Sequence, residues 1–295
     1  MTEGPALRGR ALAKRAATGL VPPVRRLIGE RDALRADVAR LERRVRRLES
    51  TQRAYGDYDY VFVMAYGRSG STLLQAILNS TPGVLMRGEN RGLPYYLHQF
   101  HKSAVKDAAW AGDVARRKVN PFFGIRDYPA DLAITRIREL LLDTVLRPEP
   151  GTKMLGFKEI RWYQDDLPEY LAFMQQVFPG ARFILNTRKL DDVATSSWWA
   201  DDPEAQGRLE DIESRMLSAA KVLGPSVFHV RYDEYVDDPS SLRPLFEWLG
   251  LAFDETRVRK VMERRYAEIP GAAEARAARV ESASADGGPG EVSDV

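Results

Sequence analysis

A short polar loop follows an apolar run in the stretch "VFVMAYGRSGSTLLQAILN", residues 61–79. Gly67 and Gly70 leave backbone N–H groups open to a ligand, because glycine places no Cβ in the way. The helical pattern that follows adds unpaired N–H groups and the positive end of a helix dipole, which suit an anion. The charged and hydroxyl side chains of the loop are Arg68, Ser69, Ser71 and Thr72. The stretch therefore predicts an anion site at a helix N-terminus.

The loop departs from two well-known catalytic loops. The phosphate loop of nucleoside triphosphatases and many kinases reads G-x-x-x-x-G-K-[ST], but here Ala65 replaces the first glycine and Ser71 replaces the lysine. The hydrolase nucleophile elbow G-x-S-x-G is not met by the G-R-S-G spacing of residues 67–70. A kinase is thereby disfavoured but stays open, as does an ordinary glycine-rich turn without a ligand.

A second stretch, "RFILNTRKLDDVATSSWW" at residues 182–199, is again a predicted strand followed by a predicted helix. Arg188 stands at the end of the strand, and Ser196 is expected inside the helix. An arginine fork and a hydroxyl in these places can jointly bind one phosphate group. The alternative is an exposed arginine and a serine on the helix surface.

Together these residues resemble the sulfotransferase family, whose donor is 3′-phosphoadenosine 5′-phosphosulfate (PAPS). In that family an R-S-G-[ST]-[ST] loop after the first strand binds the 5′-phosphosulfate, and the resemblance assigns this role to residues 68–72. An R-x-x-x-D-x-x-x-S motif binds the 3′-phosphate. Arg188, Asp192 and Ser196 match it, with the usual proline replaced by Leu190.

A third stretch extends the resemblance. "RYDEYVDDPSSLRPLFEWLGL" is similar to a family segment with an acidic pair after a tyrosine, a downstream D-P and a W-L-G. The resemblance implies that Tyr232 contacts the nucleotide. It covers roughly residues 58–251, and the three motifs occur in the family's order.

The resemblance also suggests a catalytic base. "VLMRGENRGLP" is similar to the strand-end G-E of tyrosylprotein and carbohydrate sulfotransferases, in which the glutamate is the base, and this implies Glu89. A base is needed because the acceptor hydroxyl loses its proton as it attacks. Glu89 could instead only pair with Arg87 or Arg91. His98 and His101 are the rivals, since histidine is the base in the cytosolic aryl and steroid branch.

Further candidates follow the predicted strand in "MLGFKEIRW". A cation near the transferred group stabilises charge that grows in the transition state. Arg68 is the first candidate for this role and Lys158 the second, although Lys158 could equally form a structural ion pair. Glu159 is a second candidate base. Trp198 and Trp199 either line the acceptor pocket or pack the helix against the core.

The elements that would position these residues alternate along the chain. Predicted strands are Tyr60–Ala65, Val84–Met86, Met154–Lys158, Arg182–Thr187 and Val227–Tyr232. Predicted helices are Ser71–Asn79, Ala130–Leu146, Leu167–Val177, Asp191–Trp199, Glu204–Leu223 and Leu242–Leu249. Alternation of this kind predicts an α/β fold, a P-loop-like parallel sheet flanked by helices on both faces.

The N-terminal region has a different pattern. From Val24 an a/d heptad runs to residue 53, with Leu27, Leu34, Leu41 and Leu48 at one core position and Val24, Arg31, Val38 and Val45 at the other. Valine at a with leucine at d favours a parallel two-stranded coiled coil and hence a homodimer. The same stripe would also serve a helix that folds back on its own domain.

The predicted domain organisation has four parts. Residues 1–23 are expected to be a basic flexible segment, 24–53 the coiled-coil helix, 58–269 the sulfotransferase domain and 270–295 a disordered tail. Residues 1–53 hold 14 Lys+Arg against 6 Asp+Glu, whereas the remainder holds 30 against 36. Peripheral contact of the basic part with a membrane is therefore an option, although a solvated arginine-rich helix is the simpler interpretation. No nucleic acid is expected as a partner.

Composition narrows the chemistry. With 295 residues, 44% hydrophobic, the chain is long enough for one sizeable core. It has no cysteine and three histidines, which argues against a thiolate nucleophile and against a rich metal cluster. We expect a cytoplasmic enzyme that needs no metal.

These observations favour a PAPS-dependent O-sulfotransferase that acts by in-line displacement with a glutamate base. The acceptor is a small molecule or glycan hydroxyl, with a sugar, a phenol and a polar lipid about equally suited. Two alternatives stay open: a P-loop nucleotide kinase, and a non-catalytic coiled-coil dimer that binds a nucleotide as an adaptor.

Overall fold

The computed structural model describes residues 29–35, 37–39 and 58–267. The chain divides into two units, Met1–Asp57 and Tyr58–Val295. In the first unit the described residues are helical, and Leu34 and Val38 of the predicted heptad are 64% and 53% exposed. The basic segment 1–23, most of the predicted coil and the tail 270–295 lie outside the described residues.

The second unit is built on a five-stranded parallel sheet with the order β2-β3-β1-β4-β5. The strands are β1 (Asp59–Met64), β2 (Val84–Arg87), β3 (Met154–Glu159), β4 (Arg182–Thr187) and β5 (Val227–Arg231). All five coincide with predicted strands to within a residue or two. The α/β fold with a parallel sheet is therefore confirmed.

Burial along the strands follows their position in the sheet. Nearly every residue of the three inner strands β1, β3 and β4 is buried, while the edge strands β2 and β5 are only partly buried. Inner strands of a parallel sheet are covered on both faces and so read as continuous apolar runs. This explains why "VFVM" and "FIL" were readable as strands.

Nine α-helices connect and cover the strands in the described part of this unit. They are α1 (Ser71–Asn79), α2 (Leu93–Trp110), α3 (Ala130–Leu141), α4 (Leu167–Val177), α5 (Leu190–Ala194), α6 (Ala205–Leu223), α7 (Tyr232–Asp237), α8 (Arg243–Leu249) and α9 (Glu255–Ala267). A π-helical turn, Leu142–Leu146, continues α3. No helix among the described residues combines the length and the apolar character of a membrane span.

Alternate residues of β1 enter cores on opposite faces of the sheet. Val61 and Val63 belong to a cluster with residues of α1, α8 and α9. Phe62 points to the other face, where its ring lies 4.7 Å from Phe157 and 5.3 Å from Phe178, the residue after α4. Helices therefore cover both faces of the sheet, as the sequence predicted.

One predicted helix needs correction. The single helix expected over residues 191–199 is instead the short α5 and a 3₁₀ turn at Ser197–Trp199. Ser196 lies between them in an extended conformation, with φ −108° and ψ 126°. The helix α5 ends at a run of three hydroxyl residues, 195–197, which are unfavourable inside helices because their side chains compete for backbone hydrogen bonds.

Helices α2, α7 and α9 were not predicted. The apolar residues of α2 do not form a simple core-facing stripe, because Leu93 and Tyr96 are exposed whereas His98 is buried. The short α7 begins at Tyr232, which the sequence placed in the preceding strand. In α9 charged residues outnumber apolar ones, and Val258 and Met262 are the buried residues among its described side chains.

Candidate active site

The first loop runs from the end of β1 to the start of α1. Gly70 is the residue before the helix and has a φ of 79°, in the left-handed region. A Cβ at this position would lie 1.9 Å from Cδ2 of Tyr232, so both the backbone and the space require glycine. No side chain caps the helix, which leaves its first N–H groups facing the adjoining cleft as donors for an anion.

The second loop meets the first because β4 lies next to β1 in the sheet. In the strand order β2-β3-β1-β4-β5, the connection after β1 leads to β2 at one edge of the sheet. The connection after β4 leads to β5 at the other edge, so the two connections diverge. Such a divergence opens the crevice in which open α/β sheets bind ligands. Arg188 NH1 donates to the carbonyl of Arg68 at 3.1 Å, and Arg68 Nε donates to Ser196 Oγ at 2.9 Å. The two sequence motifs therefore form one site.

Buried polar residues that the sequence analysis missed support this site. Asn186 Nδ2 donates to the carbonyl of Ser69 at 2.8 Å, and the Tyr235 hydroxyl donates to Asn186 Oδ1 at 2.9 Å. Both side chains are essentially fully buried. A signal was present in the sequence: Asn186 is the polar residue inside the otherwise apolar run of β4.

Tyr66 positions the backbone of the second loop. Its hydroxyl accepts a hydrogen bond from Arg188 N at 2.9 Å, and it lies 2.8 Å from Arg188 O and 2.6 Å from Glu213 Oε2. Burial, and then the hydrogen bond to Glu213, raise the pKa of Tyr66 far above its usual value. The group therefore stays protonated and neutral at the pH of a cell.

The candidate base lies on the opposite wall of the cleft. Glu89 Oε1 is 2.5 Å from Lys158 Nζ. The ammonium is buried, whereas the glutamate side chain is 42% exposed. Arg87, one of the alternative partners, does not hold Glu89, because it donates to the carbonyls of Leu146 and Arg147. The structure thus joins the two sequence candidates Glu89 and Lys158 in one ion pair.

Glu159, the second candidate base, has a different environment. It is 2% exposed, and its oxygens accept hydrogen bonds from the backbone N–H groups of Asn90, Gly92 and Ile160 at 2.8–3.0 Å. These bonds tie the loop that carries Glu89 to the end of β3. The geometry makes Glu159 a positioning residue.

The rival histidines lie on α2 and do not line the cleft. His98 is buried, with Nε2 at 3.2 Å from Asp166 Oδ2, and His101 Nδ1 is 3.0 Å from the Tyr128 hydroxyl. Burial lowers the pKa of both histidines. Both imidazole rings also lie next to the ring of Phe173 on α4, at centroid distances of 5.1 and 5.7 Å. The two histidines therefore serve the packing of α2 on α4.

The same region holds a grouping of potential metal ligands. A nitrogen of His98 and oxygens of Asp166 and Glu169 lie within 4.8 Å of one another. The Lys102 ammonium lies 2.8 Å from Asp166 and 2.5 Å from Glu169. A cationic side chain of the protein itself therefore already pairs with both carboxylates.

The cleft between the two walls has a volume of about 210 Å³. It is lined by Gly67, Arg68, Gly70, Ser71, Thr72, Leu73, Glu89, Lys158, Ile160, Arg188, Trp198 and Tyr232. The cleft is lined by the candidate base Glu89, by Lys158 and by all the predicted donor-binding residues except Ser69, Asp192 and Ser196. Ser69 is buried beneath the loop, and Ser196 touches the site only through Arg68. Three cationic side chains, those of Arg68, Lys158 and Arg188, line the cleft together with one carboxylate, that of Glu89. The cleft therefore carries net positive charge and attracts anions.

Three aromatic side chains border the first loop. The Arg188 guanidinium lies 4.9 Å above the ring of Tyr232. Trp198 is 54% exposed, and a Cβ on Gly67 would lie 2.6 Å from its Cζ2. Trp199 Nε1 donates to the carbonyl of Gly67 at 3.2 Å. Of the two tryptophans, Trp198 lines the cleft and Trp199 fastens the loop.

Unsatisfied polar atoms in the site suit a phosphate-bearing ligand. Arg188 Nε and Ser69 Oγ are buried and have no hydrogen-bond partner. Buried polar groups without partners are costly and call for an explanation. A nucleotide with phosphates at two positions would supply acceptors to both loops, so the residues present fit PAPS.

Comparisons with known proteins bear on the family of the chain. The sequence model described as "Sulfotransferase family" matches residues 60–255. Among solved structures, the chain is similar to the sulfotransferase domain from the Synechococcus PCC 7002 olefin synthase. That likeness has 18% identity, covers 68% of this chain and 76% of that chain, and has a TM-score of 0.44.

The chain is also similar to the sulfotransferase STF9 from Mycobacterium avium. The identity is 15%, the coverage is 72% of this chain and 69% of that chain, and the TM-score is 0.38. A comparison with curated protein sequences found no match. Because the family's sequence model matches well over half of the chain, the prediction drawn from the motifs is confirmed, and the chain belongs to the sulfotransferase family.

Proposed function

We propose that the protein transfers the sulfuryl group of PAPS to a hydroxyl of a small-molecule, glycan or lipid acceptor. The observation that carries this proposal is the meeting of the two anion-binding loops. Arg188 reaches the backbone of the first loop at 3.1 Å, and Arg68 reaches Ser196 of the second at 2.9 Å. A donor with phosphate groups at both its 5′ and 3′ positions matches two such loops side by side.

The proposed donor contacts divide between the loops. The N–H groups at Gly70, Ser71 and Thr72 bind the 5′-phosphosulfate, and Arg68 places its charge beside it. Arg188 and Ser196 bind the 3′-phosphate. This division rests on the family resemblance and is supported by the unpartnered Nε of Arg188.

Arg68 must exchange one partner for another when the donor binds. In the structure its Nε donates to Ser196 Oγ. Moving the guanidinium to the phosphosulfate frees that hydroxyl for the 3′-phosphate. The two arginines and the serine are therefore expected to respond together to donor binding.

The proposed reaction is an in-line displacement at sulfur. The acceptor oxygen forms a bond to sulfur while the bond from sulfur to the bridging oxygen breaks, and adenosine 3′,5′-bisphosphate leaves. Glu89 takes the hydroxyl proton as general base. Lys158 and Arg68 stabilise the negative charge that grows on the oxygens around sulfur.

The Glu89–Lys158 contact supports this assignment of roles. Lys158 comes from the buried end of β3 and is held rigid, whereas Glu89 is partly exposed at the cleft. A fixed ammonium keeps the carboxylate in place, so that base and cation lie on the same side of the acceptor site. Positioning of this kind supplies much of the rate in group transfer.

Homodimerisation through residues 24–53 is a further part of the proposal. Leu34 and Val38, one d and one a position of the heptad, are exposed on the described helical segment. Apolar heptad positions of this type are covered when two such helices pair.

A labelled-donor experiment tests the proposed reaction. The enzyme is incubated with ³⁵S-PAPS and a panel of sugar, phenol and polar lipid acceptors, without magnesium, and with γ-labelled ATP and magnesium in parallel. We expect label to move from PAPS to at least one acceptor class. Turnover of ATP with no turnover of PAPS would show that the protein is a kinase and not a sulfotransferase. PAPS binding without transfer to any acceptor would favour the adaptor.

A further inference from the structure

An exposed apolar surface follows the outer face of α2 and continues into the segment after the helix. We call it the basic-aromatic surface, formed by the outer face of α2 and residues 111–124. Its apolar side chains are 47–92% exposed: Tyr96, Phe100, Trp110, Val119, Phe122 and Phe123. Single exposed apolar residues are ordinary, but a contiguous group marks an interaction site.

Two groups of residues within this surface have a defined arrangement, one on α2 and one at the end of that helix. Leu93, Tyr96 and Phe100 are spaced three and four residues apart and so share one face of α2. At the end of the helix, the ring of Trp110 meets the ring of Phe122 edge-on, with centroids 5.2 Å apart. Val119, the most exposed of the group at 92%, lies in the same segment.

The charge of the segment is mostly basic. Residues 111–124 contain Arg116, Arg117 and Lys118 against one acidic residue, Asp113. The three cationic side chains are exposed, and that of Arg116 lies 3.8 Å from Asp113. The chain beyond residue 53 is acidic overall, with 30 Lys+Arg against 36 Asp+Glu. The surface therefore carries a local charge opposite to that of the rest of its domain.

We propose that the basic-aromatic surface docks on an anionic lipid bilayer. Tryptophan, tyrosine and phenylalanine side chains partition into the headgroup region, and neighbouring lysines and arginines attract acidic lipids. A second copy of the chain is a poorer partner. A two-fold contact through this surface would bring the cations of both copies together. The proposal concerns where the enzyme works and does not depend on the reaction.

Matched variants test this proposal with the full-length chain. Lys118 and Val119 form an exposed Lys-Val pair on the surface, and Lys221 and Val222 form another exposed Lys-Val pair on α6. The double variants K118Q/V119S and K221Q/V222S thus make the same chemical change at two places. Binding is measured by co-sedimentation with vesicles of phosphatidylcholine, with or without phosphatidylglycerol.

We expect the wild type and K221Q/V222S to bind the anionic vesicles alike and K118Q/V119S to bind at least about fivefold more weakly. Any binding through the basic N-terminus is common to all three proteins and does not affect their ranking. Equal binding by the two variants would overturn the proposal. So would a lower sedimentation mass of K118Q/V119S without vesicles, because it would assign the surface to a contact between protein chains.

Fluorescence gives a second, independent readout. Brominated lipids quench tryptophans that enter the bilayer, and Trp110 is the tryptophan on this surface. We expect anionic vesicles with brominated chains to quench the wild type, and the variant Trp110→Phe to lose most of that quenching. Equal quenching of both proteins would contradict docking through this surface.

Discussion

Arg188 is held from several sides in the absence of any ligand. Its backbone N–H donates to Tyr66, its NH1 donates to the carbonyl of Arg68, and its guanidinium stacks on Tyr232. A side chain fixed in advance loses little conformational freedom on binding, which leaves more of the interaction energy for affinity. The unpartnered Nε is the part of the group that remains for the ligand.

The base is tested by Glu89→Gln, which keeps the size of the side chain and removes its ability to accept a proton. We expect donor affinity within about twofold of the wild type and transfer slowed about 100-fold or more. Single-turnover transfer and calorimetric binding measure the two effects separately. The control variant is Glu159→Gln, which removes the other carboxylate considered as a base. Normal turnover of the Glu89 variant would show that another group is the base.

Gly70→Ala probes the contact between the two loops. The added Cβ would meet the ring of Tyr232 at 1.9 Å, so we expect a loss of donor affinity as well as of stability. Gly180→Ala is the matched control, because Gly180 has a similar φ of 77° but open space around it. Both variants carry the strain of a positive φ, about 1 kcal/mol. If donor binding in Gly70→Ala equalled that in Gly180→Ala, the Tyr232 contact would be irrelevant to the site.

At the residue scale, the charged residues and glycines of the site were predictable from local sequence. The residues that hold the two loops in place were not. Arg68, Gly70 and Arg188 stand in recognisable motifs. Tyr66 and Asn186 act on residues more than one hundred positions away. Such contacts depend on which strands are neighbours, and this information is not present in a local pattern.

At the scale of elements, the neighbouring positions of β1 and β4 bring the site together. Alternating strand and helix signals predicted all five strands, because inner parallel strands are buried on both faces and stand out as apolar runs. Their order was not predictable, since it depends on where the connecting helices pack. The helix α2 was not predicted because its exposed outer face also carries apolar residues. The hydrophobic pattern along the sequence therefore lacks the clear period of 3.6 residues that indicates a helix.

The packing of α2 makes stability depend on pH. Burial lowers the pKa of His98, so the folded protein resists a proton that the unfolded chain accepts near pH 6.5. The unfolded state therefore binds more protons below that pH, and the free energy of unfolding falls as the pH falls. Burial shifts the pKa of His101 and His229 in the same direction.

Denaturant unfolding between pH 7 and pH 5 measures this effect. We expect the wild type to lose stability across the range and His98→Asn to lose less of it, because one of the three contributing groups is gone. An identical pH dependence of the two proteins would show that His98 does not contribute.

At the scale of the whole molecule, we propose separate tasks for the two units. The unit Tyr58–Val295 contains every residue of the candidate site, and the unit Met1–Asp57 carries the heptad. The motifs predicted the enzyme family, but they do not identify the acceptor.

Deletion of residues 1–53 tests the division of tasks. We expect donor affinity to stay unchanged, because the residues that line the cleft all belong to the unit Tyr58–Val295. We expect the sedimentation mass to fall from that of a dimer to that of a monomer. A truncated chain that still sediments as a dimer would remove the case for the coiled coil.

The most direct test of the account concerns the 3′-phosphate. Calorimetry compares adenosine 3′,5′-bisphosphate with adenosine 5′-monophosphate, without magnesium, for the wild type, Arg188→Gln and Arg243→Gln. Arg243 is the control, because it lies 4.7 Å above the ring of Phe253, outside the cleft. Its stacking matches that of Arg188 on Tyr232.

We predict that the wild type and Arg243→Gln bind the bisphosphate more tightly by about 1.5–3 kcal/mol, the worth of a charge-assisted hydrogen bond, and that Arg188→Gln loses most of this preference. Equal affinity of the wild type for the two nucleotides, or an unchanged preference for the bisphosphate in Arg188→Gln, would contradict the proposed site.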